Sequence, residues 1–125
     1  MELSVSLHET YPVLHVVVTG ELTGENMVGF FEKLVNHAEW RPDIPILDDC
    51  TGIDVSKIDV AAVRMVADEF KLLAAHFRDR RFAIITPKAV QFGIVRQFMT
   101  YVDLGGSIPP HVFSNENDAI TWLMS

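Results

Sequence analysis

The chain has 125 residues, the length of one domain, and a chain of this size buries a core without disulfides or structural metal. Apolar residues make up 49% and charged residues 22%, and ten Lys+Arg against seventeen Asp+Glu give a net charge of −7. That acidic balance argues against nonspecific nucleic-acid binding and against docking on an anionic membrane surface. Cys50 is the only cysteine, so there is no internal disulfide and no multi-thiolate zinc site, and the composition suits a reducing compartment. The apolar runs fall far short of the ~20 residues a spanning helix needs. Residues Met1 to His8 include Glu2 and lack the basic start and apolar run of a leader. The expectation is a single cytoplasmic domain over residues 1–125. A mean hydropathy of +0.21 points to a well-filled core or a buried subunit contact.

Leu3, Val5 and Leu7 alternate with polar residues, the period of a half-buried strand. Glu9-Thr10-Tyr11-Pro12 reads as a turn, and Val13 to Thr19 as a more buried second strand, making a hairpin. Gly20 ends that strand, and Thr23 is placed to cap a helix. Met27, Phe30, Phe31, Leu34, Val35 and Ala38 then form one apolar stripe, which predicts a continuous helix with one face on a sheet. Ile44 to Leu47 reads as a short strand closing on Asp48-Asp49.

Asp59 is placed to cap a long helix from about Val60 to Phe77, with Val63, Val66, Phe70, Leu73 and Phe77 as its main stripe. Arg78-Asp79-Arg80-Arg81 reads as a solvated, charged helix stop. Phe82 to Ile85 is an apolar strand, and Thr86-Pro87 is a helix start signal. The helix that follows is predicted to run to about Leu104, where Gly105-Gly106 stops it. His111 to Phe113 reads as a last short strand, and Ser114 as the cap of a final helix carrying Ala119, Trp122 and Leu123. The order ββαβαβαβα implies an α/β fold, a mixed central sheet with right-handed crossovers. The pattern leaves open whether the helices cover one face or both.

This order resembles the STAS superfamily, and within it the SpoIIAA-like branch of anti-sigma-factor-antagonist-like domains. The resemblance rests on Val18-Thr19-Gly20-Glu21-Leu22-Thr23, on Ile46-Leu47-Asp48-Asp49, on Phe82-Ala83-Ile84-Ile85, and on the ending from Val112 to Leu123. It implies a four- or five-stranded mixed sheet with helices packed on it. Antagonists of this superfamily are switched by phosphorylation of a hydroxyl in an Asp-Ser-Ser-Gly-like turn at the start of the second helix. Asp49-Cys50-Thr51-Gly52 has the look of that motif and would make Thr51 the acceptor, but it precedes the helix. Ile58-Asp59-Val60-Ala61-Ala62-Val63 sits at the helix start, where a phosphate gains from the dipole and free amides, and there Val60 and Ala61 replace the hydroxyls. The second alignment is preferred, so the phospho-switch is expected to be absent.

No arrangement of residues announces an enzyme. Asp48 and Asp49 are adjacent and so point to opposite sides of a strand, a poor geometry for paired acid–base work. Cys50 has no histidine near it in sequence and reads as a packing residue rather than a nucleophile. His8, His15, His37, His76 and His111 form no i,i+4 pair and no His-x-His, so no metal site is expected. The glycines form neither a dinucleotide fingerprint nor a phosphate loop, so no cofactor is expected.

One site argument remains. Ligands of α/β sheets lie beyond the carboxyl ends of the strands. That rim is expected to gather Glu21, Thr23, Asp48, Asp49, Asp59, Thr86, Lys88 and Ser114, an acidic set with Lys88 as its only cation. Such a rim suits a protein surface or a cationic group better than a phosphate, and the same residues also serve as helix caps. Met65, Leu72, Phe92, Met99 and Val102 exceed what one buried face needs, and mark either a wall between elements or an apolar patch used in association. The resulting expectation is a non-enzymatic STAS-like regulatory or protein-interaction domain that forms a homodimer or meets a regulatory partner. The alternative is a carrier or sensor of a small apolar ligand or lipid, because the SpoIIAA-like branch resembles the lipid-holding half of CRAL-TRIO domains.

Overall fold

The computed structural model of the chain describes residues 1–102 and 108–125. Five strands lie in the order β1-β2-β3-β4-β5, each beside its neighbour in sequence. The strands are β1 (Glu2–Leu7), β2 (Leu14–Glu21), β3 (Ile46–Asp54), β4 (Phe82–Ile85) and β5 (His111–Phe113). The hairpin β1/β2 is antiparallel and every later pair is parallel, so the sheet is mixed as the pattern implied. The helices are α1 (Gly24–Met27), α2 (Phe30–Val35), α3 (Val60–Leu72), α4 (Ala89–Tyr101) and α5 (Glu116–Leu123).

Both faces of the sheet are covered, unequally. Val16 and Val18 on β2, Ile46 and Cys50 on β3, and Phe82 and Ile84 on β4 face a large core shared with α1 to α4. Phe70 and Phe77 lie at its centre with ring centroids 4.5 Å apart, and Phe31 meets Phe70 at 4.8 Å. The opposite side chains, Leu47, Ala83 and Ile85, pack with Val13 against Ala119, Ile120 and Leu123 of α5. The period-2 alternation of strand side chains sorts the two cores.

Several boundaries differ from the sequence reading. The helix expected to run unbroken from Thr23 to Ala38 is two short helices, separated at Gly29, whose φ of 72° no ordinary side chain adopts comfortably. The Gly29 amide donates to Glu69 Oε1 of α3 at 2.7 Å, so a long-range acceptor stabilises the break. The strand expected to close at Leu47 continues to Asp54, so Asp48 through Gly52 are strand rather than turn. Gly52 belongs there because a Cβ would stand 3.0 Å from Thr19 Cγ2 on β2. The helix starting at Val60 ends at Leu72 rather than Phe77 and continues as a 3-10 turn over Ala74–His76. The caps of α4 and α5 are Lys88 and Asn115 rather than Thr86 and Ser114, and α4 ends at Tyr101 instead of about Leu104. Gly105 and Gly106 lie outside the described residues.

Arg80 corrects the reading of 78–81 as a solvated helix end. It is buried, and its guanidinium donates to the carbonyls of Ile44 at 2.6 Å, Arg41 at 2.7 Å and His76 at 3.1 Å while lying over Trp40. Burial lowers its pKa to about 10, which leaves it charged at neutral pH. The fork thus ties the segment entering β3 to the end of the 3-10 turn, a role that needs a planar, many-donor head. Arg80→Ala should lower the unfolding free energy by roughly 2–4 kcal/mol, because it leaves carbonyls without donors. Arg80→Lys should recover less than half of that loss in urea denaturation.

Candidate functional site

The site grows out of the middle of β3. Asp48 pairs with Val16 on one side and Ile84 on the other, so it occupies an interior position of the sheet. Strand alternation turns its side chain, like those of Ile46 and Cys50, toward the four-helix face. It is 7% exposed and lines a cavity of about 90 Å³. The wall is otherwise apolar apart from the Cys50 thiol, and it is drawn from β2, β3, β4, α1, α2, α3, α4 and the loop carrying Ile58.

Cys50 Sγ donates to Asp48 Oδ1 at 3.5 Å, a weak bond for a buried carboxyl. Burial pushes the Asp48 carboxyl up to about 7; the thiol hydrogen bond opposes this and the charge of Asp49 adds to it. Burial likewise raises the Cys50 thiol well above its ordinary value, with the Asp48 charge next in effect, so the sulfur stays protonated. This pair carries a proton near neutral pH and is not an activated nucleophile.

Asp49 points the other way and is half-buried, its Oδ1 accepting from the Thr51 amide at 2.9 Å. Thr51 is exposed on β3, and its carbonyl accepts from Gln91 Nε2 at 2.9 Å. The start of α3 falls at Val60, with Asp59 Oδ1 accepting from the Ala62 amide at 2.8 Å, so Val60 and Ala61 occupy the first helical positions.

The rim gathers fewer residues than the sequence suggested. Glu21, Thr23, Asp59, Thr86, Lys88 and Ser114 lie at or just beyond element ends, whereas Asp48 is interior. Thr23 caps α1, its hydroxyl accepting from the Asn26 amide at 3.0 Å, so its oxygen is engaged as a cap. Thr86 is 3% exposed, and its hydroxyl is buried without a partner among the described residues. Lys88 is not the only cation there: Lys57 reaches Glu21 at 3.4 Å. Hydrogen bonds from Ser56 lower the Asp54 pKa, with Lys57 and Lys88 adding a smaller pull.

Of the surplus apolar residues, Met65, Met99 and Val102 are partly buried against the large core and so act as walls between elements. Leu72 is 86% exposed and Phe92 43% exposed. Gln91 escaped the sequence reading altogether. It is 1% exposed, and its amide donates to the carbonyls of Thr51 and Ile53 at 2.9 and 3.0 Å. A glutamine three residues past the Lys88 cap was the available signal, since its Oε1 also accepts from the Lys88 amide.

No family model matches the chain, and no curated protein matches it. Among solved structures, it is similar to the crystal structure of an uncharacterised protein of the DUF3478 family from Shewanella loihica PV-4, described as having a SpoIIAA-like fold. The similarity covers 98% of this chain and 92% of that one, at a TM-score of 0.56 and 21% identity. The chain has a SpoIIAA-like fold. Seen in that fold, the Asp48 cavity lies between the sheet and its four-helix layer. Its volume is about 90 Å³, against the ~150 Å³ of a hollow that accepts benzene. No helix among the described residues is long and apolar enough to cross a membrane.

Two outcomes follow for the Asp48–Cys50 pair. With a native pKa of about 7 against an ordinary 3.8, the folded state holds a proton that the unfolded chain has lost between those values. This contribution to stability is therefore present below pH 4 and lost as pH rises through 7, on the order of 4 kcal/mol at about 1.4 kcal/mol per pH unit. Urea denaturation should show wild type losing stability relative to Asp48→Asn across that window; a constant difference would contradict it. Iodoacetamide should modify Cys50 slowly in the native protein at pH 8 and rapidly in 6 M urea, read by mass spectrometry.

Proposed function

We propose that the chain is a non-enzymatic SpoIIAA-like interaction domain that self-associates through the outer surface of α4. The observation that carries this reading is the composition of that surface. Val90 is 63% exposed and Phe92 43%, and Arg96 is the single charged residue in the thirteen of α4, on a chain of net charge −7. Depletion of charge around exposed aromatic and aliphatic side chains is what the centre of a protein interface requires.

The surroundings favour the same reading. Phe92, Val112 and Phe113 are shared by two adjoining hollows between α4 and β5, about 450 and 310 Å³ in volume. The strand β5 is the last of the sheet and only three residues long, so its outer edge adds backbone donors and acceptors beside the apolar hollows. A C2 dimer that sets α4 against α4 would cover Val90 and Phe92 of both copies with one symmetric contact. A cytoplasmic setting is part of this proposal, supported by the single buried thiol.

Sedimentation equilibrium at 1–50 μM should return a dimer for the wild type and a monomer for Phe92→Glu, with unchanged circular dichroism. A monomeric wild type over the whole range would end the self-association reading. A dimer that survives the substitution would move the interface elsewhere.

A further inference from the structure

The cavity at Asp48 has chemistry that the interaction reading does not use. A carboxyl group has about four acceptor positions, and here the one hydrogen bond it receives among the described residues is a thiol contact of 3.5 Å. The charged group that bears on it is Asp49, of like sign. Elsewhere in this interior, the buried ionic group Arg80 is satisfied by three carbonyls. Against that standard Asp48 is under-satisfied, and its position on β3 directs it into a hollow rather than into packed side chains.

The rest of the wall fixes what would complete it. Phe31, Val66, Ile84, Val95 and Phe98 offer only hydrocarbon, so an occupant must be apolar over most of its surface. The volume of about 90 Å³ suits a small alkyl group, or roughly three waters, and a branched one touches more of the wall. An anionic head is excluded by Asp48 itself, and a head without a donor leaves the carboxyl as it was. A protonated amine satisfies every condition, since it brings three donors and the opposite charge on a compact tip. The partly exposed Ile58 and Ile94 among the lining residues mark the side on which the cavity approaches solvent.

We propose that the hollow between β3, α3 and α4 binds small branched alkylamines, with the ammonium group on the Asp48 carboxylate and the alkyl group among Phe31, Val66, Ile84 and Val95. The inference does not depend on self-association, because none of these side chains belongs to the exposed surface of α4. Arg80 and the helix caps play no part in it.

Isobutylamine is the probe, with isobutanol and isobutyrate as matched neutral and anionic controls. Titration of methyl-labelled protein at pH 7.5 should give saturable shifts of the Val66, Ile84 and Val95 methyl signals with isobutylamine. Isobutyrate should give none, and isobutanol should bind at least tenfold more weakly. Asp48→Asn, which keeps the shape and removes the charge, should weaken isobutylamine at least tenfold. Val66→Phe should abolish binding by filling the space while leaving Asp48 in place, and a native methyl spectrum certifies the fold of each variant. Absence of saturable shifts in wild type would overturn the proposal. So would equal binding of isobutanol, or undiminished binding by Asp48→Asn; the first of these would mean that the hollow selects shape and not charge.

Discussion

The arrangement depends on the overhang of β3 beyond β4. The two strands pair only as far as Asp49 and Ile85, while β3 continues to Asp54 and β2 follows it to the end. Past that point, the β4-facing side of β3 has carbonyls at Thr51 and Ile53 that no strand satisfies, and an unpaired buried carbonyl costs about 1–3 kcal/mol. Gln91 supplies both donors from the first turn of α4. The side chain thus stands in for the missing strand and locks the beginning of α4 over the end of β3. The direction of α4 from there places Ile94, Val95 and Phe98 above Asp48 and Val90 and Phe92 toward solvent. The inner cavity and the outer apolar surface are two consequences of one docking.

How much of this was legible follows from the range of each interaction. The number and order of the strands and the start of α3 after Asp59 are local or periodic signals, and the structure agrees with the sequence on them. The break at Gly29 was hidden because the apolar stripe continues across it, and its stabilising contact is Glu69, forty residues away. The early closing of β3 came from treating Asp48-Asp49 as a turn, which is sound for an aspartate with solvent on both sides. Asp48 has Val16 and Ile84 as neighbours instead, a fact set by pairing between distant strands. Arg80 shows the same effect with opposite charge: the run 78–81 looks solvated, and only the folded chain brings the carbonyls of Arg41 and Ile44 to it.

The buried Asp48 and Arg80 solve the same problem by different means. Arg80 keeps its charge because three carbonyls and the Trp40 ring replace the water it lost. Asp48 has one thiol, and its carboxyl answers by holding a proton up to about pH 7. A leucine at this position would fill the hollow and remove the cost of burying a carboxyl. An aspartate there gives up stability at neutral pH, and such sacrifices concentrate where a group has work to do.

That work need not be separate from association. One helix, α4, supplies Ile94, Val95 and Phe98 to the cavity and Val90 and Phe92 to the surface. It is anchored at its first turn by Gln91 and further along by Phe98, which packs on Phe31 and Phe70. On the two proposals above, an alkylamine beneath Val95 and a second copy seated on Phe92 would bear on the same helix. Were the two to favour different placements of that helix, each would alter the affinity of the other by an equal factor.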